Sequence, residues 1–439
     1  MAEALAAYVG GMNELWDSSY VVPPVPVAAS GVAWLRSSVA RFSEGDEHVR
    51  RRALAERVLA AVDPGVLRRA GEPVAVLAEA LGLPRSVASD VAVVAACYQP
   101  HVDATVEADE AVARLVAACG GTWDEGTANL IGVLVQASGA TRALIAGVEP
   151  PVPVTRRVAP DGSVVEVDLG EAWFGGGRHA CPGRAHALAL AEGARAFHRM
   201  HDDFLVLPNA WDFASAAAFV RAGFGAVGTT SLGVAVAHGL PDAAGVARAE
   251  TVALARLLAR LPVPVTVDVE AGFGGDVRAL AAELWELGVA GVNVEDGRGA
   301  GLAEPADQAA IVRAFKEVAP GLFVNARVDT WWLGVDRAST LDRARAYVDA
   351  GADGVFIPGL DQEAEIAAAV AAVPVPLNTL PSLSTETLRA LGVRRVSTGS
   401  LPFRAALAEA VRTAEAVRST TPPPTTLPTY SETTALTTS

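Results

Sequence analysis

Lysine and cysteine are scarce in this 439-residue sequence. Lys316 is the only lysine, so Schiff-base chemistry has a single candidate residue, and that residue falls in a segment predicted to be a surface helix. The three cysteines, Cys97, Cys119 and Cys181, are too few and odd in number to indicate a disulfide framework. All three precede residue 182, so the C-terminal half has no thiol available for catalysis.

Positive charge is also in deficit, because the formal net charge is −15. Such an acidic chain is unsuited to non-specific nucleic-acid binding and to a basic membrane-surface role. The first residues lack the basic segment and the cleavage site of a signal peptide. Charges, glycine or proline interrupt the apolar runs before they reach the roughly 20 residues of a membrane helix. We therefore expect a cytoplasmic protein whose partners include neither nucleic acid nor membrane.

The residue pattern divides the chain into three zones. Apolar residues make up 51% of the chain, which is enough for more than one core. Residues 1–200 have a mainly helical pattern, and residues 201–418 alternate short β-rich runs with helical runs. Residues 419–439 form a Thr/Pro-rich tail with few large apolar side chains, for which we predict disorder.

The middle zone contains eight candidate strands, each followed by a helical run. The predicted strands are 204–210, 224–231, 264–270, 290–296, 322–329, 354–359, 375–380 and 394–400. The predicted helices are 212–222, 244–260, 276–287, 307–318, 338–350, 362–372, 383–391 and 402–418. This alternation predicts a parallel sheet covered by helices, and eight units in this length favour a closed (β/α)₈ TIM barrel over an open sheet.

Polar side chains occur where these strands end, which is where barrel enzymes carry their chemistry. Asp268 and Glu270 end the third strand, two residues apart, so they are predicted to share a face. Further polar residues end the fourth strand (Glu295 and Asp296), the fifth (Arg327 and Asp329) and the seventh (Asn378). Converging carboxylates repel one another unless a cation neutralises them, and oxygen ligands favour Mg²⁺ or Mn²⁺. The alternative interpretation is that these acids are helix N-caps or loop ion pairs.

Seven motifs of this zone resemble, in the same order, the isocitrate lyase / phosphoenolpyruvate phosphonomutase superfamily. The resemblance covers the region from about residue 203 to residue 418. The motifs are PNAWD (208–212), GTTSLGVAVAHGLPD (228–242), VTVDVEAGFGG (265–275), GVNVEDG (291–297), NARVD (325–329), GADGVFIPGL (351–360) and NTLPS (378–382).

The resemblance implies a Mg²⁺ site formed by Asp268, Glu270 and Glu295. Asp268 would bind the ion directly, and the two glutamates would act largely through water. Arg327, Glu295 and Asp242 would serve catalysis, with Arg327 holding a substrate carboxylate or phosphonate in a bidentate contact. The activity implied is that of a lyase, mutase or hydrolase that makes or breaks a C–C or P–C bond in a small 2-oxo acid or related carboxylate through an enolate-like oxyanion.

Further residues are implied to bind the substrate. The backbone N–H groups around Ser231 and Leu232 would hold its oxygens, and Asn378 and Ser382 resemble a carboxylate contact of the superfamily. Many relatives are homo-oligomers in which the last helix is exchanged, so the resemblance also implies a dimer or tetramer.

The sequence departs from the two best-known activities of the superfamily. The lyases carry a Lys-x-Cys-Gly-His segment, whereas this barrel has no cysteine. The mutase carries lysine in the loop after its Glu-Asp pair, whereas this loop reads EDGRGAGLAEP. These departures argue against isocitrate or methylisocitrate lysis and against phosphonomutation, and they leave the exact reaction of this lyase-like or phosphonomutase-like enzyme open. His238 is the only histidine in the strand-end loops, and a structural role is the expected interpretation for it.

The N-terminal zone, from about residue 30 to residue 200, resembles a cytochrome P-450 with large internal deletions. The motif FGGGRHACPG (174–183) resembles the haem-thiolate loop, in which Cys181 would bind haem iron and His179 would lie close by. The motif EGDEHVRRR (44–52) places His48 and Arg52 four residues apart, where the resemblance implies contacts with the haem propionates. NLIGVLVQASGAT (129–141) and PPVPVTRRVAPDG (150–162) complete the resemblance, but no Glu-x-x-Arg helix precedes the last motif.

Three hypotheses remain open from the sequence. In the first, the barrel is a Mg²⁺-dependent enzyme acting on a small oxo-acid. In the second, haem bound through Cys181 makes the protein an oxidoreductase or a sensor. In the third, both halves are degenerate domains joined in a non-catalytic fusion.

Overall fold

The computed structural model describes residues 14–419 and 427–438. The chain forms two compact units that divide between Arg195 and Ala196. This boundary lies within five residues of the one predicted from the change in residue pattern at about residue 200.

The N-terminal unit is mainly helical. Its α-helices are Gly31–Ser38, Gly45–Ala60, Pro73–Ala80, Val87–Ala96, Val106–Ala118, Glu125–Ala146 and Arg184–Ala194, and its 3₁₀ turns are Ala40–Phe42, Pro64–Leu67 and Gly177–His179. The strands Val154–Val158 and Val164–Asp168 pair as an antiparallel hairpin.

The helix Glu125–Ala146 is the central element of this unit. By length and composition it is also apolar enough to cross a membrane, which the interrupted apolar runs of the sequence did not indicate. Ile131, Leu134 and Val135 of this helix are buried in the hydrophobic core that it shares with the neighbouring helices. Packing inside the unit therefore accounts for its apolar character.

The C-terminal unit contains all eight predicted barrel strands, each somewhat shorter than predicted. They are Leu205–Leu207 with Asn209–Ala210, Val227–Thr229, Val265–Asp268, Gly291–Glu295, Phe323–Arg327, Gly354–Phe356, Leu377–Thr379 and Arg395–Ser397. Every pairing between neighbouring strands is parallel. We number these strands one to eight in chain order.

The first strand closes the barrel in two segments. Leu205–Leu207 pairs with the eighth strand, and Asn209–Ala210 pairs with the second. Pro208 separates the segments because it has no N–H to donate to a ladder, although its carbonyl accepts from the Gly228 N–H at 2.8 Å. The nine-segment sheet is therefore barrel-like, and its two terminal segments belong to one interrupted strand.

The predicted helices follow the strands. They are Phe213–Arg221, Arg248–Leu258, Val277–Leu287, Pro305–Val318, Thr340–Asp349, Glu363–Ala372, Thr385–Ala390 and Leu401–Arg418. Three short helices were not predicted: Ala196–Arg199, Ser231–Ala237 and Thr330–Leu333. A two-residue hairpin pairing, Gly297–Arg298 with Gly301–Leu302, was also missed.

Local capping explains where these helices begin and end. Asp212 accepts from the Ser215 N–H and forms a capping box at the start of the helix that follows the first strand. Asp276 caps the helix after the third strand by accepting from two backbone N–H groups. Gly288 ends that helix at φ 99°, a left-handed conformation that favours glycine.

The tail differs in part from the predicted disorder. Residues 427–438 include the helix Tyr430–Thr434, which Thr429 and Glu432 cap reciprocally. Arg221 donates to the Glu432 carbonyl at 3.1 Å, and Leu436 packs against the barrel core. In this segment the structure has a capped helix in contact with the barrel, and disorder of the tail stays a prediction. Residues 420–426 and 439 lie outside the described residues.

Adjacent leucines of the helix Arg248–Leu258 offer a test of the barrel core. Leu258 is fully buried, whereas Leu257 is 45% exposed. Replacing Leu258 with alanine should lower the free energy of unfolding by about 2–5 kcal/mol, since it leaves a cavity in the core. Leu257→Ala, as the matched control, should change it by less than about 1 kcal/mol. Urea denaturation of both variants measures the difference, and equal losses would contradict this packing.

Candidate active site

Asp268 lies at the carboxyl end of the third strand and is 9% exposed. Its N–H donates to the Thr229 hydroxyl at 2.9 Å, which connects the third strand to the second. We call this end of the barrel, where the strands have their carboxyl ends, the barrel mouth. The Asp268 Oδ1 atom accepts from the Glu270 N–H at 3.0 Å. The carboxylate therefore has a defined orientation before any ligand binds.

Glu270 reaches the same region by a different route from the one predicted. The third strand ends at Asp268, and Glu270 has a positive φ of 48°, so strand alternation does not set its direction. Its Oε2 atom accepts from the Gly245 N–H at 2.8 Å. Its Oε1 atom is buried and has no hydrogen-bond partner among the described residues. A left-handed non-glycine residue is strained, and such strain is typical of functional sites.

Arg327 connects two carboxylates of the site. Its Nη1 atom lies 2.7 Å from Glu295 Oε2, and its Nε atom donates to Asp329 Oδ1 at 2.6 Å. The guanidinium carbon also lies 5.9 Å from the Trp332 ring centroid and 5.8 Å from that of Phe356. The arginine is therefore held in place by the chain itself, with part of its donor capacity left for a ligand.

The acids of this mouth are less acidic than free carboxylic acids. Burial raises the pKa of Asp268 to about 6, although Arg327 acts to lower it. Burial also raises the pKa of Glu295 to about 8, against the lowering effect of Arg327 and with Asp268 and Asp329 adding to the rise. Burial raises the pKa of Glu270 as well. These groups repel one another as anions and would be neutralised by a cation.

A buried network behind the mouth was missed by the sequence analysis. Asp296, at 0% exposure, accepts from the Asp329 N–H at 2.8 Å and from the Tyr347 hydroxyl at 2.7 Å. Arg343 pairs with Asp296 at 3.2 Å and donates to the Ala303 carbonyl at 2.7 Å. The network holds Asp329 and the short loop after the fourth strand. Arg343 and Tyr347 are four residues apart on one helix, a spacing that could have indicated a shared inward face.

The predicted substrate-binding residues lie in three different environments: the start of a helix, a buried strand and an exposed loop. Ser231 and Leu232 begin the helix Ser231–Ala237, where the first N–H groups have no acceptor within the helix. Asn378 is buried in the seventh strand, and its amide nitrogen donates to Ser397 Oγ at 3.0 Å. Ser382 lies on an exposed loop, where its hydroxyl donates to the Leu360 carbonyl at 2.7 Å.

Two further predicted residues lie in the loop after the second strand. Asp242 is exposed and close enough to raise the pKa values of Asp268 and Glu295 through its charge. His238 is exposed, and its Nδ1 atom contacts the Val234 carbonyl of its own helix at 2.9 Å. This contact fits the structural role expected for His238.

The donor chemistry of the mouth fits a hard divalent cation. The candidate donors are carboxylate oxygens, and one of them, Glu270 Oε1, is buried without a partner among the described residues. Within the same part of the chain, no three His, Cys, Asp or Glu side chains converge as a ready-made cage. Mg²⁺ commonly binds through one or two carboxylates and completes its shell with water and substrate oxygens, so both observations are compatible with it.

In the N-terminal unit, the predicted haem residues come together but are already occupied. The His48 and His179 rings lie 4.3 Å apart, and His179 Nε2 contacts Glu44 at 3.2 Å. Arg52 pairs with Glu56 at 2.7 Å and also donates to the Ala180 carbonyl.

Cys181 is exposed and follows His179 and Ala180 in the same loop. Its N–H donates to the Phe174 carbonyl at 2.8 Å, and burial raises the pKa of its thiol. A haem-thiolate site needs a thiolate, together with cations that are free for the propionates. These residues therefore do not fit haem.

Comparison with known proteins places the barrel in a family. Residues 195–418, about half of the chain, match the family model for phosphoenolpyruvate phosphomutase. The chain belongs to this family. An uncharacterized protein of Mycobacterium tuberculosis is 46% identical to the phosphomutase-family region over 227 residues, which cover 50% of this chain and 88% of that protein.

Two other relatives extend the comparison. The 2-methylisocitrate lyase of Bacillus subtilis is 35% identical over 188 residues, which cover 40% of this chain and 62% of the lyase. The chain thus spans less than two thirds of that lyase. A structure described as phosphonopyruvate hydrolase in complex with oxalate and Mg²⁺ superposes with a TM-score of 0.51 at 23% identity, covering 56% of this chain and 94% of the hydrolase. This last likeness establishes the fold alone.

The raised pKa of Glu295 predicts a pH dependence of stability in the absence of divalent cations. Folding takes up a proton wherever the folded pKa exceeds the unfolded one, so the free energy of unfolding should fall as pH rises from 4.5 towards about 8. Glu295→Gln should flatten this slope, whereas Glu386→Gln, at an exposed position, should leave it unchanged. Denaturation in EDTA over this pH range measures the slopes, and a wild-type slope retained in Glu295→Gln would contradict the assignment.

Proposed function

We propose that the barrel is a Mg²⁺-dependent enzyme that makes or breaks a C–C or P–C bond in a small 2-oxo acid or related carboxylate. The observation that carries the proposal is the group of buried carboxylates at the barrel mouth, whose raised pKa values indicate a missing counter-charge. Membership of the phosphomutase family supports the reaction class, because enzymes of this superfamily are lyases and mutases for which Mg²⁺ is expected.

Asp268 would hold the ion directly, because the Glu270 N–H donates to its Oδ1 atom at 3.0 Å and so orients the carboxylate. Glu270 and Glu295 would act through water, since no tight three-carboxylate cage exists among the described residues. Bound Mg²⁺ would supply Lewis-acid polarisation of the substrate oxygens and stabilise an enolate-like oxyanion. Glu295 also holds Arg327, so charge at the metal and charge at the substrate are coupled through one ion pair.

The substrate would be held by donors around the mouth. Arg327 would bind a carboxylate or phosphonate with the N–H groups that Glu295 and Asp329 leave free. The N–H groups of Ser231 and Leu232 face outward from the first turn of their helix and would bind oxygens of the same ligand. Asn378 and Ser382 would complete the contacts, and Asp242 would act from the loop after the second strand.

The loop after the fourth strand supports the prediction that the protein does not carry out the two best-known activities of the superfamily. It has neither the cysteine nor the lysine that those activities use, and the Gly297–Arg298 pairing with Gly301–Leu302 folds it into a short hairpin. Arg298 donates to Gln308 at 3.1 Å, and Ala303 donates to the Asp296 carbonyl at 2.8 Å. A loop anchored at both ends favours a related reaction on an oxo-acid over isocitrate lysis or phosphonomutation.

A homo-oligomer, dimer or tetramer, stays a prediction. The helix Leu401–Arg418 supports it, because Leu407, Val411 and Val417 are each at least half exposed, whereas Phe403 is buried. An apolar helix face of this kind is typical of a surface covered by another subunit.

Removing the Asp268 carboxylate tests the proposal. Turnover of oxaloacetate-like or 2-methylmalate-like acids by the full chain in Mg²⁺ should fall about 100-fold or more in Asp268→Ala, the scale of losing one electrostatic contact to a developing oxyanion. Asp203→Ala, an exposed acid at the opposite end of the barrel, should retain wild-type turnover. Full activity in Asp268→Ala would show that the metal site is wrongly assigned.

The cytochrome P-450-like alternative is open to a spectroscopic test. Because Arg52 and His179 already pair with Glu56 and Glu44, the purified full chain should show no Soret band after expression with added haem precursor. A band that shifts with carbon monoxide and disappears in Cys181→Ala would instead establish haem binding through that thiolate.

A further inference from the structure

An arginine side chain lies inside the barrel, below the mouth. Arg395 on the eighth strand is 0% exposed and has no ion pair within 4.0 Å among the described residues. Its Nη1 atom is buried with no hydrogen-bond partner in that part of the chain. Its guanidinium carbon lies 5.9 Å from the ring centroid of Phe197, a fully buried residue. The Asp268 carboxylate acts on the charge of Arg395 without forming a direct ion pair. A charge buried in this way is unfavourable for stability, so a purely structural role is a poor explanation for Arg395.

Arg395 organises a set of buried polar residues, which we name the barrel floor. Its Nη2 atom donates to Asn293 Oδ1 at 3.2 Å, and its Nε atom donates to Ser397 Oγ at 3.0 Å. Asn325 also donates to Asn293 Oδ1, at 2.8 Å. The barrel floor consists of Asn293, Asn325, Asn378, Arg395 and Ser397. The Arg395 side chain thus reaches from the eighth strand to the fourth.

The chemistry of the side chains in the barrel floor determines which of their atoms donate hydrogen bonds and which accept them. A guanidinium can only donate, so Ser397 Oγ must accept from Arg395 and has one proton of its own to give. When the Asn378 amide nitrogen donates to the same oxygen, Asn378 Oδ1 remains buried without a partner among the described residues. In that arrangement the Ser397 proton likewise has no acceptor in this network.

A half-turn of the Asn378 amide gives the Ser397 proton an acceptor, and it is allowed because the amide oxygen and nitrogen occupy nearly the same space. The Ser397 hydroxyl then donates to Asn378 Oδ1, and the chain of donors runs from Arg395 through Ser397 to Asn378. The Asn378 NH₂ group now takes the buried position that lacked a partner, where it needs an acceptor. A carboxylate or enolate oxygen of a ligand is such an acceptor.

We propose that Arg395 is a positioning residue: as an obligate donor to Ser397, it orients the Asn378 amide so that its NH₂ group faces an oxygen of the substrate. The inference rests on the proposed function, because it needs an anionic ligand at the barrel mouth. The proposal adds a residue of the eighth strand that affects substrate binding from the barrel interior and does not contact the ligand.

The test measures Mg²⁺-dependent binding of oxalate to the full chain by calorimetry. Arg395→Met and Ser397→Ala should each weaken oxalate binding about tenfold, the scale of one lost hydrogen bond of defined direction. Arg395→Lys retains an obligate donor and should stay within about threefold of the wild type. Thr379→Val is the matched control, because Thr379 is a buried neighbour of Asn378 with an unpartnered hydroxyl, and it should bind oxalate within about twofold.

Two further readouts separate positioning from a merely structural role. Replacing a buried, unpaired arginine with methionine is expected to be neutral or stabilising, so Arg395→Met should bind oxalate less tightly without a lower Tm. In an Asn378→Ala background, Arg395→Met should weaken binding by less than about twofold, because the two residues act in series. Losses that add in the double variant, or a fall in Tm that parallels the loss of binding, would overturn the proposal.

The same experiment distinguishes the two levels of inference. If the wild-type chain binds no oxalate in Mg²⁺, the proposed function fails, and the role of Arg395 fails with it. If the wild-type chain binds oxalate and both Arg395→Met and Ser397→Ala bind it equally well, only the role of Arg395 is overturned. Mg²⁺ binding without oxalate should be the same in the wild type and in Ser397→Ala, since that substitution changes no charge near Asp268.

Discussion

The ion pair between Arg327 and Glu295, 2.7 Å apart, is the interaction on which the barrel mouth depends. Each partner is expensive to bury alone, and together they bring the end of the fifth strand against the end of the fourth. Asp329 accepts from the same guanidinium, and Asp296 holds Asp329 from behind. Loss of the arginine would leave buried acids facing one another. The loop after the fourth strand and the helix that carries Arg343 are tied to the same network.

The chain itself compensates only part of the negative charge at the barrel mouth. Arg327 compensates part of the negative charge, but burial still raises the pKa values of Asp268 and Glu295. This residual imbalance would favour the divalent cation that is expected for the superfamily, since ion binding would replace repulsion with attraction. The strained φ of Glu270 belongs to the same arrangement, because the chain has left the strand at this residue and its carboxylate still contributes to the mouth.

In the N-terminal unit, the residues predicted to bind haem pair with other groups of the chain. His48, Arg52, His179 and Cys181 do come together, as the motifs indicate. Their polar groups, however, are used within the chain: Glu56 pairs with Arg52, and Glu44 lies beside His179. Side chains that are paired in this way are not available to hold the propionates of a haem.

The sequence by itself determined the scaffold. All eight barrel strands and the eight helices between and after them follow from hydrophobic periodicity, which is a local property and survives in any tertiary context. The strand-end position of Asp268 and Arg327 followed from the same reasoning. Glu270 was placed near Asp268 correctly but for the wrong reason, because a left-handed turn, and not strand alternation, directs it.

Only the tertiary structure decided how these side chains are paired. Arg327 was expected to face a substrate, yet it is bound to Glu295 and Asp329. Arg395 and Asn293 are separated by about a hundred residues in the chain and meet across the barrel interior. Such contacts depend on strand register and barrel closure, which no local pattern encodes. The sequence therefore determined which residues reach the mouth, and the closed barrel determined which of them compensate one another's charge.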